Sequence, residues 1–180
     1  MPAADGQHFD ERMAELDRAV GEMIADAEAR PAPWTRDRQG KWSGAQHAAH
    51  VAIAMEVTAD AFEQRLPHVL DATIPAVPRR GPLQWLWVST LVKRGFMPRG
   101  IRTPRRFEPV GEPNLEETLA RLRHAVERYR AVGHLLTAAQ RDRLWIRNPF
   151  LKRWHYRLVE MVSVQAVHAR HHLALIREIR

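Results

Sequence analysis

Apolar residues recur three and four positions apart along four stretches of this chain, the spacing that gathers them on one side of an α-helix. The first stretch carries Phe9, Met13, Leu16, Val20, Met23 and Ala27, and Pro31 and Pro33 are expected to close it. The second opens at Ser43, where Ser43-x-x-Gln46 fits a capping box, and is expected to reach about Leu66, before Pro67. The third takes Asn114 as its N-cap after Pro113, with Glu116 and Glu117 in its first turn and Leu115, Leu119, Leu122, Val126 and Tyr129 on one side. The fourth follows Pro149 to the C-terminus, with Met161, Val164, His168, His172, Leu175 and Ile179 in a single stripe. No alternation typical of a strand stands out. The expected fold is therefore all-α, a four-helix bundle formed by residues 1–180 as a single domain. A connection from Pro67 to Pro113 separates the second and third helices; it is rich in Pro, Gly and Arg, and its apolar stretch from Leu83 to Val92 suits a short helix. So long a connection in a helical bundle calls for a structural reason.

The histidines supply one. Residues at i and i+4 stand one above the other on a helix, so His168 and His172 can turn two imidazoles toward one cation. A third candidate is His50, at the end of Trp42-Ser43-Gly44-Ala45-Gln46-His47-Ala48-Ala49-His50. It is expected on a face with Ile53, Ala54, Val57 and Ala61, with Glu56 and Asp60 pointing away. His50 lies near the start of helix two, whereas the other pair lies near the end of helix four. In an up-down-up-down bundle those helices are parallel and the groups stand on the order of 25 Å apart. If helices two and three run the same way, up-down-down-up, helices two and four are antiparallel and the three rings can meet. That topology needs a long crossover where the sequence supplies one. Three inward imidazoles without a common partner would also leave several buried polar nitrogens to satisfy. Spacing alone leaves two readings: separately hydrogen-bonded core histidines, or a divalent metal held by His50, His168 and His172.

Composition limits what else the site can hold. The chain contains no cysteine, so thiolate ligands, disulfides and a protein-borne sulfur nucleophile are excluded, and any metal must sit on nitrogen and oxygen. The 28 Lys+Arg against 21 Asp+Glu give a formal charge of +7, which serves solubility alone or favours an anionic partner: nucleic acid, an acidic membrane surface or a small charged substrate. No recognition helix, zinc finger or basic zipper accompanies that charge, so nucleic acid is the weaker partner. No stretch approaches the roughly 18 uncharged apolar residues of a spanning helix, and Met1 to Asp10 lacks the pattern of a signal peptide. A cytoplasmic location is expected, with a second copy of the chain as the partner to cover apolar surface, making a homodimer.

Taken in order, Trp42-Ser43, the histidine seven residues after that Ser, the long crossover, Asn114-Leu115-Glu116-Glu117 and the terminal His168-x3-His172 resemble the DinB-like (DinB/YfiT) superfamily of metal-binding four-helix bundles. The resemblance extends from Met13 to Ile179. It implies a divalent metal, zinc or nickel, bound by one histidine on helix two and two on helix four, which map onto His50, His168 and His172. It further implies a metal-dependent transferase or isomerase that uses a low-molecular-weight thiol such as bacillithiol or mycothiol, although many members of the superfamily have no known activity. Position 46, where relatives often carry Glu, is Gln46 here.

An N3 site with open positions has the layout of a catalytic metal, because structural zinc is usually closed by four protein ligands. The functional expectation is a thiol-dependent S-transferase or, failing that, a hydrolase. The alternative is a non-catalytic bundle that binds nucleic acid or a protein partner, its histidines forming a structural or vestigial site. His47 and His171 flank the proposed ligands, each as a further ligand, a proton shuttle or a substrate donor, against a contact with Trp42 for the first and a half-exposed position for the second. Gln46 could orient a metal-bound water, although capping explains it. Trp85 and Trp87 suit a membrane-touching helix, a lid or, preferably, packing of the crossover. Arg99, Arg102, Arg105 and Arg106 suit an anion site or a solvated loop.

Overall fold

The computed structural model describes residues 3–36, 40–95, 97–100, 103–149 and 153–179. Among them the chain is mostly helical. Four long helices, α1 (Ala3–Ala29), α3 (Gly44–Leu70), α5 (Leu115–His134) and α7 (Leu158–Arg177), are joined by shorter ones, α2 (Pro31–Thr35), α4 (Pro82–Arg94) and α6 (Ala138–Arg143). Trp145–Arg147 (β1) and His155–Arg157 (β2) pair as an antiparallel ribbon, with Ile146 opposite Tyr156.

The order of side-chain pairs gives the direction of each contact. Arg121 bonds Glu56 and Arg128 bonds Glu63, so residue numbers rise together along α3 and α5. Between α1 and α5 they run oppositely, from Asp10–His134 through Asp17–Arg130 to Glu28–Arg123. They also run oppositely between α3 and α7, where His47 meets His172, His50 meets His168 and Thr58 meets Gln165. The stretch between α3 and α5 thus returns the chain to the end of the molecule from which α3 sets out.

One apolar core joins these helices: Phe9, Leu16 and Met23 from α1, Val51, Met55 and Phe62 from α3, Leu122 and Tyr129 from α5, and Leu158, Val162 and Ile176 from α7 are all buried. Small residues let the backbones approach where the site lies. Ala45, Ala48, Ala49 and Ala52 occupy the first turns of α3, and a Cβ on Gly44 would fall 2.7 Å from Trp34 Cα. Asp26 clamps this end, accepting from Arg30 at 2.8 Å, Trp34 Nε1 at 3.1 Å and Arg177 at 3.1 Å. Burial pushes its carboxyl up, but those bonds outweigh it and hold the pKa below the ordinary value.

Several sequence expectations are corrected. Pro67 does not end the second long helix, which continues to Leu70; the proline lacks an N–H in the last turn, and Asp71 N–H bonds Pro67 O at 2.9 Å to finish it. Pro31 opens α2, which buries Trp34, so the proline closes one helix by starting another. The last helix begins at Leu158, well after Pro149, because residues 145–147 and 155–157 pair as strands. Those strands are too short to show alternation. Helix α6 was not anticipated, although Thr137-x-x-Gln140 carries the capping-box pattern and makes both of its bonds. The expected short helix in the crossover is present as α4. Among its described side chains Gln84 and Val88 are buried, the Trp87 ring lies tilted against Trp154, and Leu83, Trp85 and Leu86 are exposed. No helix among the described residues is long and apolar enough to cross a membrane.

Candidate metal centre

The three histidines named from spacing come together. His50, His168 and His172 are buried, and each offers a ring nitrogen such that the three atoms lie within 4.8 Å of one another. Their ring centroids are 4.7 to 5.0 Å apart. Two short elements of sequence deliver them. The capping box at Ser43 starts α3, with Gln46 N–H on Ser43 Oγ at 3.2 Å and Ser43 N–H on Gln46 Oε1 at 2.9 Å, placing His50 in its second turn. The i, i+4 spacing on α7 then stacks His168 and His172 over it.

The crossover contributes directly. Its single 3₁₀ turn, Arg105–Phe107, brings the Phe107 carbonyl to 2.8 Å from His50 Nδ1. A carbonyl only accepts, so Nδ1 carries the proton and Nε2 keeps its lone pair. Gln165 plays the same part for His168. Its Nε2 donates to Ala54 O at 3.3 Å and to Thr58 Oγ1 at 3.0 Å, which turns Oε1 toward His168 Nδ1 at 3.4 Å. Thr58 in turn meets the buried Tyr129 hydroxyl, so the network is anchored in the core.

His50 Nε2 and His168 Nε2 therefore face each other as two lone pairs, 3.1 Å apart. No proton is available to bridge them. With Zn–N near 2.0–2.1 Å, two nitrogens on one ion stand about 2.9 Å apart at a right angle and about 3.4 Å apart at the tetrahedral angle. The observed separation falls between those values, and the donor set fits a divalent ion.

The cluster is tuned toward neutral imidazole, the form that ligates. Burial, then the charges of His50 and His171, hold His168 well below its ordinary pKa; burial, then His168, His50, His47 and His171, do the same for His172. Burial also lowers His50, partly opposed by its bond to Phe107. In the unfolded chain these rings regain protons near pH 6.5. The unfolded state then binds more protons than the folded one, so stability of the metal-free protein is full above about pH 6.5 and falls on acidification toward the depressed folded values. Its melting temperature should drop between pH 7 and pH 5; a flat profile would mean the rings are not buried as neutral groups.

The flanking residues take different roles. His47 Nδ1 lies 2.9 Å from His172 Nδ1, one nitrogen donating to the other, and the His47 ring also contacts Trp42 at 5.4 Å. Trp42 spreads over the cluster, 5.2 Å from His50 and 6.4 Å from His172. His171 is half-buried at the rim with its ring 5.4 Å from His172. Burial and then Arg99 lower its pKa, with Glu178 opposing. Gln46 has a structural place, since beyond the capping box its Nε2 donates to Gly111 O at 2.8 Å and pins the end of the crossover. Of the arginine cluster, Arg99 pairs with Glu178 and Arg106 lies 4.8 Å from the Phe107 ring centre, whereas Arg102 is outside the described residues.

A profile of the family described as a protein of unknown function, DUF1569, matches residues 12–179. The chain belongs to DUF1569. No curated protein and no solved structure matches it. The DUF1569 match takes in every side chain of the cluster, the crossover and both capping segments around it. Sequence reasoning missed Phe107 and Gln165 as partners of the rings; it offered the Trp42 contact for His47, which is present, but not the approach of Trp42 to His50 and His172. Gln165 carried a weak signal, three residues before His168 on the same helix; the Phe107 carbonyl carried none, because any residue has one.

Proposed function

We propose that this DUF1569 chain is a metal-dependent enzyme of the DinB-like type, a thiol S-transferase with zinc or nickel on His50, His168 and His172. Residues 1–180 make one domain in this reading, a four-helix bundle with up-down-down-up topology in which α3 and α7 are antiparallel. The observation that carries it is the pair of Nε2 lone pairs facing each other at 3.1 Å, each with its Nδ1 already engaged. A divalent ion held by these three histidines would supply Lewis acidity and lower the pKa of a thiol or water bound to it.

The surrounding residues set the conditions for that chemistry. Phe107 and Gln165 hold two rings in the ligating tautomer, and the third, His172, is positioned by its Nδ1 contact with His47. Trp42 covers the rings and limits water. His171 stands half-buried beside His172, with the Arg99–Glu178 ion pair next to it. With no cysteine in the chain, the sulfur must arrive with a cosubstrate.

The test is metal analysis of the purified protein followed by a conjugation assay with a low-molecular-weight thiol and a fluorogenic electrophile. Stoichiometric divalent metal and a chelator-sensitive rate above the uncatalysed reaction are expected. Metal without thiol-dependent turnover would overturn the transferase reading, and hydrolysis of an ester in its place would favour metal-activated water. No metal at all would remove the enzyme reading. Gln165→Leu should weaken metal binding by about 10- to 100-fold, read by competition with a chromophoric chelator. Unchanged affinity would show that its Oε1 does not orient His168.

A further inference from the structure

A second collection of groups lies near the start of α7, at least ten residues before His168 and so about 15 Å along the helix. The ribbon β1–β2 and the segment after α3 enclose a cleft of about 350 Å³, lined by Arg79, Arg147, Arg153, Trp145, Trp154 and His155. Neighbouring arginines are neutralised: Arg80 pairs with Glu160, and Arg157 lies 4.0 Å from Asp142. Arg79, Arg147 and Arg153 form no ion pair among the described residues. Three guanidiniums beside one cleft repel one another unless an anion joins them. Arg147 also lies near Arg65, whose pKa is lowered first by burial and then by the Arg147 charge.

His155 adds an independent sign. It is 3% exposed, and Gln84 Nε2 donates to its backbone carbonyl at 2.6 Å while lying 3.5 Å from its Nδ1. With a donor facing Nδ1, the ring proton sits on Nε2, and that buried Nε2 has no hydrogen-bond partner. A buried N–H without an acceptor is costly and rare. Trp154, set by contact with Trp87, is half-buried and offers a flat apolar wall; Trp145 lines the cleft from beneath the surface, 6% exposed, with Arg65 4.1 Å over its ring centre and its Nε1 on Pro75 O at 3.0 Å.

We propose that this cleft binds a small organic anion, a carboxylate or phosphate on a flat aromatic body, with its charge held by Arg79, Arg147 and Arg153 and its ring against Trp154. The cleft volume is at the lower end of the range for small-molecule sites, and arginine forks match both oxyanions. The inference is independent of the metal reading.

Phenyl phosphate titrated into the full-length protein, followed by calorimetry and by the indole N–H resonances, tests it. Binding is expected to shift Trp145 and Trp154, and Arg147→Gln or Arg153→Gln should each weaken it by about tenfold or more. Metal content should not change in either variant. Arg123→Gln, on the exposed side of α5, should leave binding intact. Absence of any shift, equal binding of inorganic phosphate, or equal weakening by Arg123→Gln would overturn the proposal. So would attachment to acidic phosphatidylglycerol vesicles that needs Arg147 but is not displaced by phenyl phosphate, which would make this a membrane-facing surface.

Discussion

His50→Ala and His172→Ala should each strip the protein of stoichiometric metal, with affinity falling by more than about 100-fold, beyond what loss of an orienting partner does. Each variant removes one of three nitrogens, and the remaining two leave an ion with too few protein ligands to compete with water and buffer. The same variants should fold. In the metal-free protein each substitution deletes a buried imidazole that disfavours protonation of its neighbours, so the acid-induced loss of stability should become shallower than in the unsubstituted chain. Metal analysis with melting curves at pH 7 and pH 5 therefore separates a ligand from a packing residue. Full metal retention in either variant would dismiss the three-histidine assignment.

Gly133→Ala should lower stability by about 3 kcal/mol, at the upper end of the cost of overpacking a core. Gly133 lies near the end of α5, where an added Cβ would fall 2.0 Å from Phe9 Cζ and 2.4 Å from Phe9 Cε1. Phe9 is fully buried and cannot swing away. At 180 residues the melting temperature should drop by roughly 10 °C. Phe9→Leu in the Gly133→Ala background should recover part of that loss, because both changes act on one contact. A drop below about 1 kcal/mol would show that α1 and α5 can shift apart at this point.

Helix existence and caps were legible because their causes are local. Ser43 and Gln46, and Asn114 before Glu117, satisfy N–H groups within one turn, and they mark helix starts in the sequence as they do in the structure. Faces were less legible. Val57, expected inward with His50, is 36% exposed, whereas Val51, Met55 and Thr58 are buried. α3 contacts both α5 and α7, so its buried sector is wide and is centred by two neighbours rather than by its own apolar stripe. The strands and the start of α7 were missed for a related reason, since three-residue strands exist only through each other.

The sequence by itself determined that the chain is helical, where α3 and α5 begin, that no sulfur ligand is present, and that two imidazoles share a helix face one turn apart. The missing sulfur is composition alone; the others follow from interactions reaching four residues at most. Only the tertiary structure decided that His50 meets that pair, that the Phe107 carbonyl and Gln165 set the ring tautomers, and that Arg79, Arg147 and Arg153 gather beside His155. Except for Gln165 and His168, which share α7 but whose bond depends on Ala54 and Thr58 of α3 holding the Gln165 amide, those partners lie on different elements, and packing brings them within hydrogen-bonding distance or around one cleft.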